Sequence, residues 1–309
     1  MTGQRSLFKQ FMLQWELQLF VLIPLMILFV FQYIPMWGVL TAFQDFNLHK
    51  GFLGSEWVGL KHFYMFFNAP DFWQIMRNTI AISFLKLLIG FPAPIILALM
   101  LNEIRHAWFK RWVQTISYLP HFMSWVIISG MVVSILSVDN GSLNLLLEKL
   151  NVIDEPISWL SLPEYFWTIL VTTGIWKEIG FGAIIYLAAI SGVDQSMYEA
   201  AHIDGASRLK QIVYITIPSI APIIIIFLIL DISKILNAGF EDILLLTNQG
   251  QNAVLRPVSE VIDTYVYRVG IENMRYSYAT AAGLFKAVVS VALLVIANSI
   301  ARRLGSSLW

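Results

Sequence analysis

Val213-Tyr-Ile-Thr-Ile-Pro218-Ser-Ile-Ala-Pro222-Ile-Ile-Ile-Ile-Phe-Leu-Ile-Leu-Asp231-Ile-Ser-Lys234-Ile-Leu236 is 24 residues long and carries two charges. A hydrocarbon layer about 30 Å thick offers backbone groups no partner, so it is crossed by helices of roughly 20 mostly apolar residues. This stretch meets that demand. Five others do as well: Leu17–Trp37, Thr79–Leu101, Trp112–Leu136, Tyr165–Ile190 and Thr280–Ile300. Asp, Glu, Lys and Arg make up 13% of the 309 residues and apolar types 58%, whereas a soluble domain carries about 25% charged residues. The sequence therefore predicts an all-α membrane protein with six transmembrane helices in one domain over 17–303, and a tail at 304–309. Before the first span, Leu7, Phe8, Phe11, Met12 and Trp15 recur at helical spacing beside Arg5 and Lys9, which predicts an interfacial helix within 1–16.

Charge placement sets the expected orientation, because Lys and Arg favour the cytoplasmic side. One side holds Arg5, Lys9, Arg105, Lys110, Arg111, Arg208, Lys210, Arg302 and Arg303 against Glu16, Glu103, Asp194, Glu199 and Asp204. That side is expected to be cytoplasmic, with both termini, in a multi-pass protein of the cell membrane. Lys plus Arg equals Asp plus Glu at 20 each, so no overall basic field attracts nucleic acid. There is no cysteine, which excludes disulfides and thiolate chemistry. A phosphate-cradling loop has its nearest match in Gly54-Ser-Glu-Trp-Val-Gly59-Leu60-Lys61, where Leu60 stands in place of the required lysine. No His-Glu-x-x-His helix or Gly-x-Ser-x-Gly elbow occurs either. The chain is thus expected not to be an enzyme and to bind no cofactor or metal itself.

Between the fourth and fifth spans, over 192–218, lies Ser196-Met-Tyr198-Glu199-Ala200-Ala201-His-Ile-Asp204-Gly205-Ala206-Ser-Arg208-Leu-Lys-Gln-Ile-Val-Tyr-Ile-Thr-Ile-Pro218. It reads as two short helices joined by a bend at Gly205, with Ser196 and Glu199 as a capping-box pair and Pro218 early in the next span. Ala200, Ala201 and Ala206 leave a surface of little side-chain bulk. Such a knuckle suits the groove of another protein.

Glu199-Ala200-Ala201, three residues, Gly205, nine residues, Ile215, one residue, Ile217 and Pro218 resemble the signature loop of binding-protein-dependent ABC import permeases. Ile217 stands where that family usually has leucine. Phe91-Pro-Ala-Pro-Ile, Asn102-Glu-Ile-Arg, Tyr118-Leu-Pro-His-Phe-Met-Ser-Trp125, Trp176-Lys-Glu, Tyr186-Leu-Ala-Ala and Ala282-Gly-Leu-Phe-Lys resemble the branch of carbohydrate permeases that handles complex oligosaccharides. The resemblance implies a type I ABC importer permease fold and a coupling helix that docks on a nucleotide-binding subunit. It implies that role for Tyr198, Glu199, Ala200, Ala201, Asp204, Gly205, Ala206, Arg208 and Pro218. It further implies a second homologous permease, two ATPase subunits that carry ATP and Mg, an extracytoplasmic solute-binding protein and an oligosaccharide cargo. An ion-coupled secondary transporter, or an ABC permease for a non-sugar solute, are the alternative readings.

Polar and aromatic residues in or beside spans are the candidate pathway: Tyr118, His121, Trp125, Trp176, Lys177, Glu178, Tyr186 and Asn237. A charge in mid-span costs roughly 2.5–3.5 kcal/mol, so Lys177 and Glu178 need partners. Two readings are open for them: a wet pathway or subunit interface, or a bridge within the bundle. Lys86 and Lys286 are expected to snorkel to an outer interface, and Asp231 to neutralise Lys234 three residues on. The loops at about Ser137–Glu164 and Asn237–Tyr278 are expected to dock the solute-binding protein.

Overall fold

The computed structural model describes residues 14–303 and 305; apart from residues 14–16 and 305, the expected interfacial helix and C-terminal tail lie outside them. Among the described residues the elements are α1 (Trp15–Phe43), α2 (Lys61–Phe67), α3 (Phe72–Glu103), α4 (Ala107–Phe122), α5 (Trp125–Ile135), α6 (Pro163–Ser191), α7 (Gln195–Ile203), α8 (Arg208–Ser233), α9 (Ile262–Tyr267) and α10 (Tyr276–Arg303). Shorter helices lie between some of them. α1, α3, α6, α8 and α10 are each long and apolar enough to cross a membrane, and α4 with α5, counted as one broken span, is a sixth that meets the same criterion. Two paired dipeptides, Gln44–Asp45 and Glu56–Trp57, form the strands among the described residues.

The third span departs from the straight helix expected at Trp112–Leu136: α4 and α5 meet at 106°. Pro120 lacks an N–H and interrupts the helical ladder, Met123 and Ser124 are extended, and the Ser124 hydroxyl caps α5 by accepting from the Ile127 N–H. The signal stood in Leu119-Pro-His-Phe-Met-Ser124, inside an apolar run that the length criterion treats as continuous.

Prolines also set the local winding of α1, α3 and α8. Each carries one π turn, at Phe29–Tyr33, Lys86–Gly90 and Ile212–Thr216, and each turn ends two residues before Pro35, Pro92 or Pro218. A proline ring strikes the carbonyl four residues earlier in a regular helix. Those carbonyls belong to Phe31, Leu88 and Tyr214, the middle residue of each π turn, where the wider winding moves the carbonyl aside.

α6 is the hub of the bundle: it packs on the second half of α3, on α4 and on α8. Gly180 allows the approach to α4, because a Cβ there would lie 2.0 Å from the Ser117 carbonyl oxygen; at Gly182 it would lie 2.9 Å from Pro94 Cγ. α10 packs against α8, α2, α9 and the last turns of α1, where Thr41 donates to Thr280 across 3.0 Å. The rest of α1 stands away from the bundle, and its most apolar window buries nothing. An aromatic cluster around Phe66, with Phe72, Tyr265 and Tyr278, closes one end; Ala98, Ala183, Tyr186, Ile190 and Ile220 pack the other.

The lysines expected to snorkel are paired instead. Lys86 donates to the Asp242 carboxylate and to the Ala238 carbonyl, each at 2.6 Å, and Lys286 pairs with Asp263. The 237–275 segment folds back over the helix ends and brings those acceptors within reach, an arrangement that no span-by-span reading exposes. Asp231 and Lys234 attract each other without a direct contact within salt-bridge distance, and both face a cavity described below.

Gly180→Ala is expected to lower stability in detergent by about 1–3 kcal/mol through overpacking against the α4 backbone. Gly174→Ala, with nothing within 4 Å of its Cβ position, should be neutral or gain up to about 1 kcal/mol from helix propensity. Thermal melts of the two variants check this, and equal melting temperatures would contradict the close α4–α6 contact.

Candidate functional site

A cavity of about 430 Å³ opens among α3, α6, α8 and the first residue of α5. Its size is in the range of small-molecule sites. At the end next to the 237–275 segment its wall is polar, with Ser83, Lys86, Asp231, Lys234 and Asn237. Glu178 stands partway down α6, and Phe91, Phe181, Tyr186 and Phe227 line the remainder.

Of the residues singled out from sequence, Trp125, Glu178, Tyr186 and Asn237 line this cavity. His121 and Lys177 stand behind the wall and hold it, while Tyr118 and Trp176 are not part of the lining. Tyr118 sits half-buried at the end of the regular part of α4, next to Pro120, and Trp176 is exposed on α6. Ser83, Lys86, Asp231, Lys234, Phe181 and Phe227 were missed as wall residues. Lys86, Asp231 and Lys234 did carry a signal, as charges inside apolar runs, but each was given a local explanation.

Lys177 is 6% exposed. Its ammonium donates to the His121 carbonyl at 2.8 Å and the Met123 carbonyl at 3.0 Å, lies 3.6 Å from Glu178 Oε1, and sits 5.6 Å from the centre of the Trp125 ring. Both carbonyls lie at the break between α4 and α5, where helical partners are lost. An ammonium with three donors and no acceptor suits such a place. Glu178 Oε2 meets His121 Nδ1 at 2.7 Å, and the His121 ring lies flat on Phe181, 3.8 Å between centroids and 3° between planes. Lys177 and Glu178 thus both take part in a bridge within the bundle, and Glu178, its side chain 52% exposed, also faces the cavity.

The loop between α6 and α8 lies at the end of the bundle opposite the 237–275 segment. Asp194, and not Ser196, is the N-cap of α7: its carboxylate accepts from the Ser196 N–H at 2.9 Å, and that bond holds the Asp194 carboxyl below its usual range. The helix starts two residues earlier than the expected Ser196–Glu199 capping box requires, because the chain leaves α6 at Gly192 and is already turned at Asp194. At the far end Ala206 N–H donates to Ala201 O and Gly205 N–H to His202 O, the two bonds of a Schellman cap. Gly205 has φ +74°, a conformation that disfavours any side chain. Tyr198 points inward and bonds Thr216 at 2.9 Å, whereas Glu199, Ala200, Asp204 and Arg208 are exposed and Ala201 and Ala206 half-buried. Ile203 at the tip is 86% exposed.

Residues 90–308 match the family described as binding-protein-dependent transport system inner membrane component. The chain belongs to this family. It is 48% identical to Protein LplB of Bacillus subtilis (strain 168) over 284 residues, which cover 92% of this chain and 87% of LplB. It is 47% identical to the polygalacturonan/rhamnogalacturonan transport system permease protein YteP of the same organism over 276 residues, 89% of this chain and 84% of YteP. The solved structure of a bacterial alginate ABC transporter, in complex with an alginate pentasaccharide-bound periplasmic protein, contains a chain that superposes with a TM-score of 0.88 at 39% identity, covering 98% of this chain and 99% of that one. The protein is therefore a multi-pass permease subunit of an ABC importer that works with a solute-binding protein; it is not an enzyme, and the ATPase is a separate subunit.

Replacing Lys177 with methionine keeps the volume and strands the His121 and Met123 carbonyls without a donor, at a cost of about 2–4 kcal/mol. Lys177→Met is expected to lower the detergent melting temperature and the yield of inserted protein, and Trp176→Phe to alter neither. A wild-type melting temperature for Lys177→Met would show that the ammonium does not hold the break.

Proposed function

We propose that this permease takes up oligosaccharides handed over by an extracytoplasmic solute-binding protein, moving them by alternating access. The observation that carries the cargo reading is the cavity, whose aromatic walls offer stacking faces and whose Glu178 and Asn237 offer hydrogen bonds. Support comes from relatives whose names record polygalacturonan, rhamnogalacturonan and alginate transport. In this reading the chain pairs with a second, homologous permease and with two nucleotide-binding subunits that carry ATP and Mg. The chain itself binds no cofactor or metal. It sits in the cell membrane with both termini in the cytoplasm, and the loops at about 137–164 and 237–278 receive the solute-binding protein on the outside.

The 192–218 loop is then the part that follows the ATPases. The face of α7 that carries the exposed Glu199, Ala200 and Ile203 is the surface offered to them. The Tyr198–Thr216 bond and the π turn at Ile212–Thr216 tie α7 to α8, so movement of α7 reaches the wall residues Phe227, Asp231 and Lys234. To move a two-state gate from 1:99 to 99:1 takes about 5.5 kcal/mol, which ATP binding on the partner subunits supplies.

In proteoliposomes holding the whole complex, uptake is expected to require ATP and the binding protein and to persist when ion gradients are collapsed. Uptake that needs the gradient and ignores ATP would contradict the proposal. Gly205→Val strains the left-handed turn, and Glu199→Lys reverses the charge of the exposed face of α7. Each is expected to lower uptake per ATP hydrolysed by at least about tenfold while the complex still assembles. Full coupling in both variants would remove the loop from the drive.

A further inference from the structure

We infer that the first turns of α4 and the residues leading into them bind an anionic phospholipid, with Arg105 and Arg111 at its phosphate and Trp108, Trp112 and Ile116 along its acyl chain. This surface lies outside the cavity and outside the 192–218 loop, and its role does not depend on the cargo.

α4 has two faces. At Ser117 it lies against Gly180 of α6. The opposite face carries Trp108, Trp112, Ile116 and Leu119, spaced by four, four and three residues, and these side chains are 52 to 72% exposed. The rings of Trp108 and Trp112 meet at 5.9 Å between centroids, and tryptophan is the residue that settles at the boundary between lipid and water. From Trp108 to Leu119 the helix rises about 16 Å, close to the depth of one leaflet of hydrocarbon. An acyl chain covers such a stripe.

The charge at the foot of the stripe is the independent observation. From Ile104 to Val138 the sequence holds no acidic residue, yet it holds Arg105, Lys110 and Arg111. None of the three forms an ion pair among the described residues. Glu103, at the end of α3, is turned to Arg208 at 3.9 Å, which also places the turn before α4 at the end of the bundle that holds the 192–218 loop. Arg105 and Arg111 are exposed, and Arg111 flanks the stripe three residues from Trp108. A guanidinium fork matches a phosphate, and basic residues at a membrane surface draw anionic lipid. A free phosphate ion would answer the arginines and leave the stripe bare. A lipid without net charge would cover the stripe and leave the arginines unanswered. An anionic phospholipid does both.

The test places the whole complex in nanodiscs and quenches tryptophan fluorescence with brominated phosphatidylglycerol or brominated phosphatidylcholine at rising mole fraction. Subtracting the signal of the Trp108→Phe/Trp112→Phe complex isolates the two rings. Phosphatidylglycerol is expected to quench them at a mole fraction at least about fivefold lower than phosphatidylcholine, and the preference to shrink as salt rises. Arg105→Gln/Arg111→Gln is expected to remove the preference, and Arg105→Lys/Arg111→Lys to keep most of it. Excess inorganic phosphate should leave it unchanged. Equal quenching by the two lipids in the wild type would reduce the face to a neutral lipid belt and overturn the proposal. Quenching by neither would mean that protein covers the face, and a preference abolished by inorganic phosphate would mark a site for the free ion; each overturns it too, as does a preference that survives the glutamine pair. Both leaflets of a nanodisc carry the same lipid, so the result depends neither on orientation nor on the import reading.

Discussion

An ammonium that cannot reach water must be surrounded by acceptors, and in this protein the acceptors of Lys177 are the carbonyls that a broken helix sets free. Each needs the other. Without the lysine, the 106° turn between α4 and α5 would leave backbone groups unpaired inside the bundle; without the turn, the lysine would keep Glu178 and lose both of its carbonyl acceptors. The cavity depends on this exchange, because the turn brings Trp125 and His121 to the face of α6 that carries Glu178 and Phe181. Gly180 completes the arrangement by letting the α4 backbone lie directly against α6.

Proline acts at three further points by one mechanism. In α1, α3 and α8 a π turn spans the carbonyl that the ring would strike. Two of these turns adjoin the candidate sites: Lys86–Gly90 contributes Lys86, Leu87 and Gly90 to the cavity wall, and Ile212–Thr216 joins the 192–218 loop to the rest of α8. A π turn two residues ahead of a proline thus sits beside the cavity and another beside the 192–218 loop.

How much of this was legible beforehand follows from the range of the interactions. Span number came from apolar run length, and the bend at Gly205 from a residue type that tolerates φ +74°. Both are local properties. The family, too, was readable from the spacing of Glu199, Gly205 and Pro218. The break at Pro120 to Ser124 was written in residues that run length passes over, since each side of it is apolar. Charge pairing was not legible: the partners of Lys86 and Lys286 lie 156 and 23 residues away, on a segment whose return over the helix ends no hydropathy profile records.

A density map of the purified complex, with the solute-binding protein and a bound glycan, tests the central claim most directly. The account predicts glycan density against Phe181 and within hydrogen-bond distance of Glu178, with Ile203 and Glu199 seated in a groove of an ATPase subunit at the opposite end of the bundle. Glycan density confined to the partner permease, or a 192–218 loop on the same face as the solute-binding protein, would contradict it.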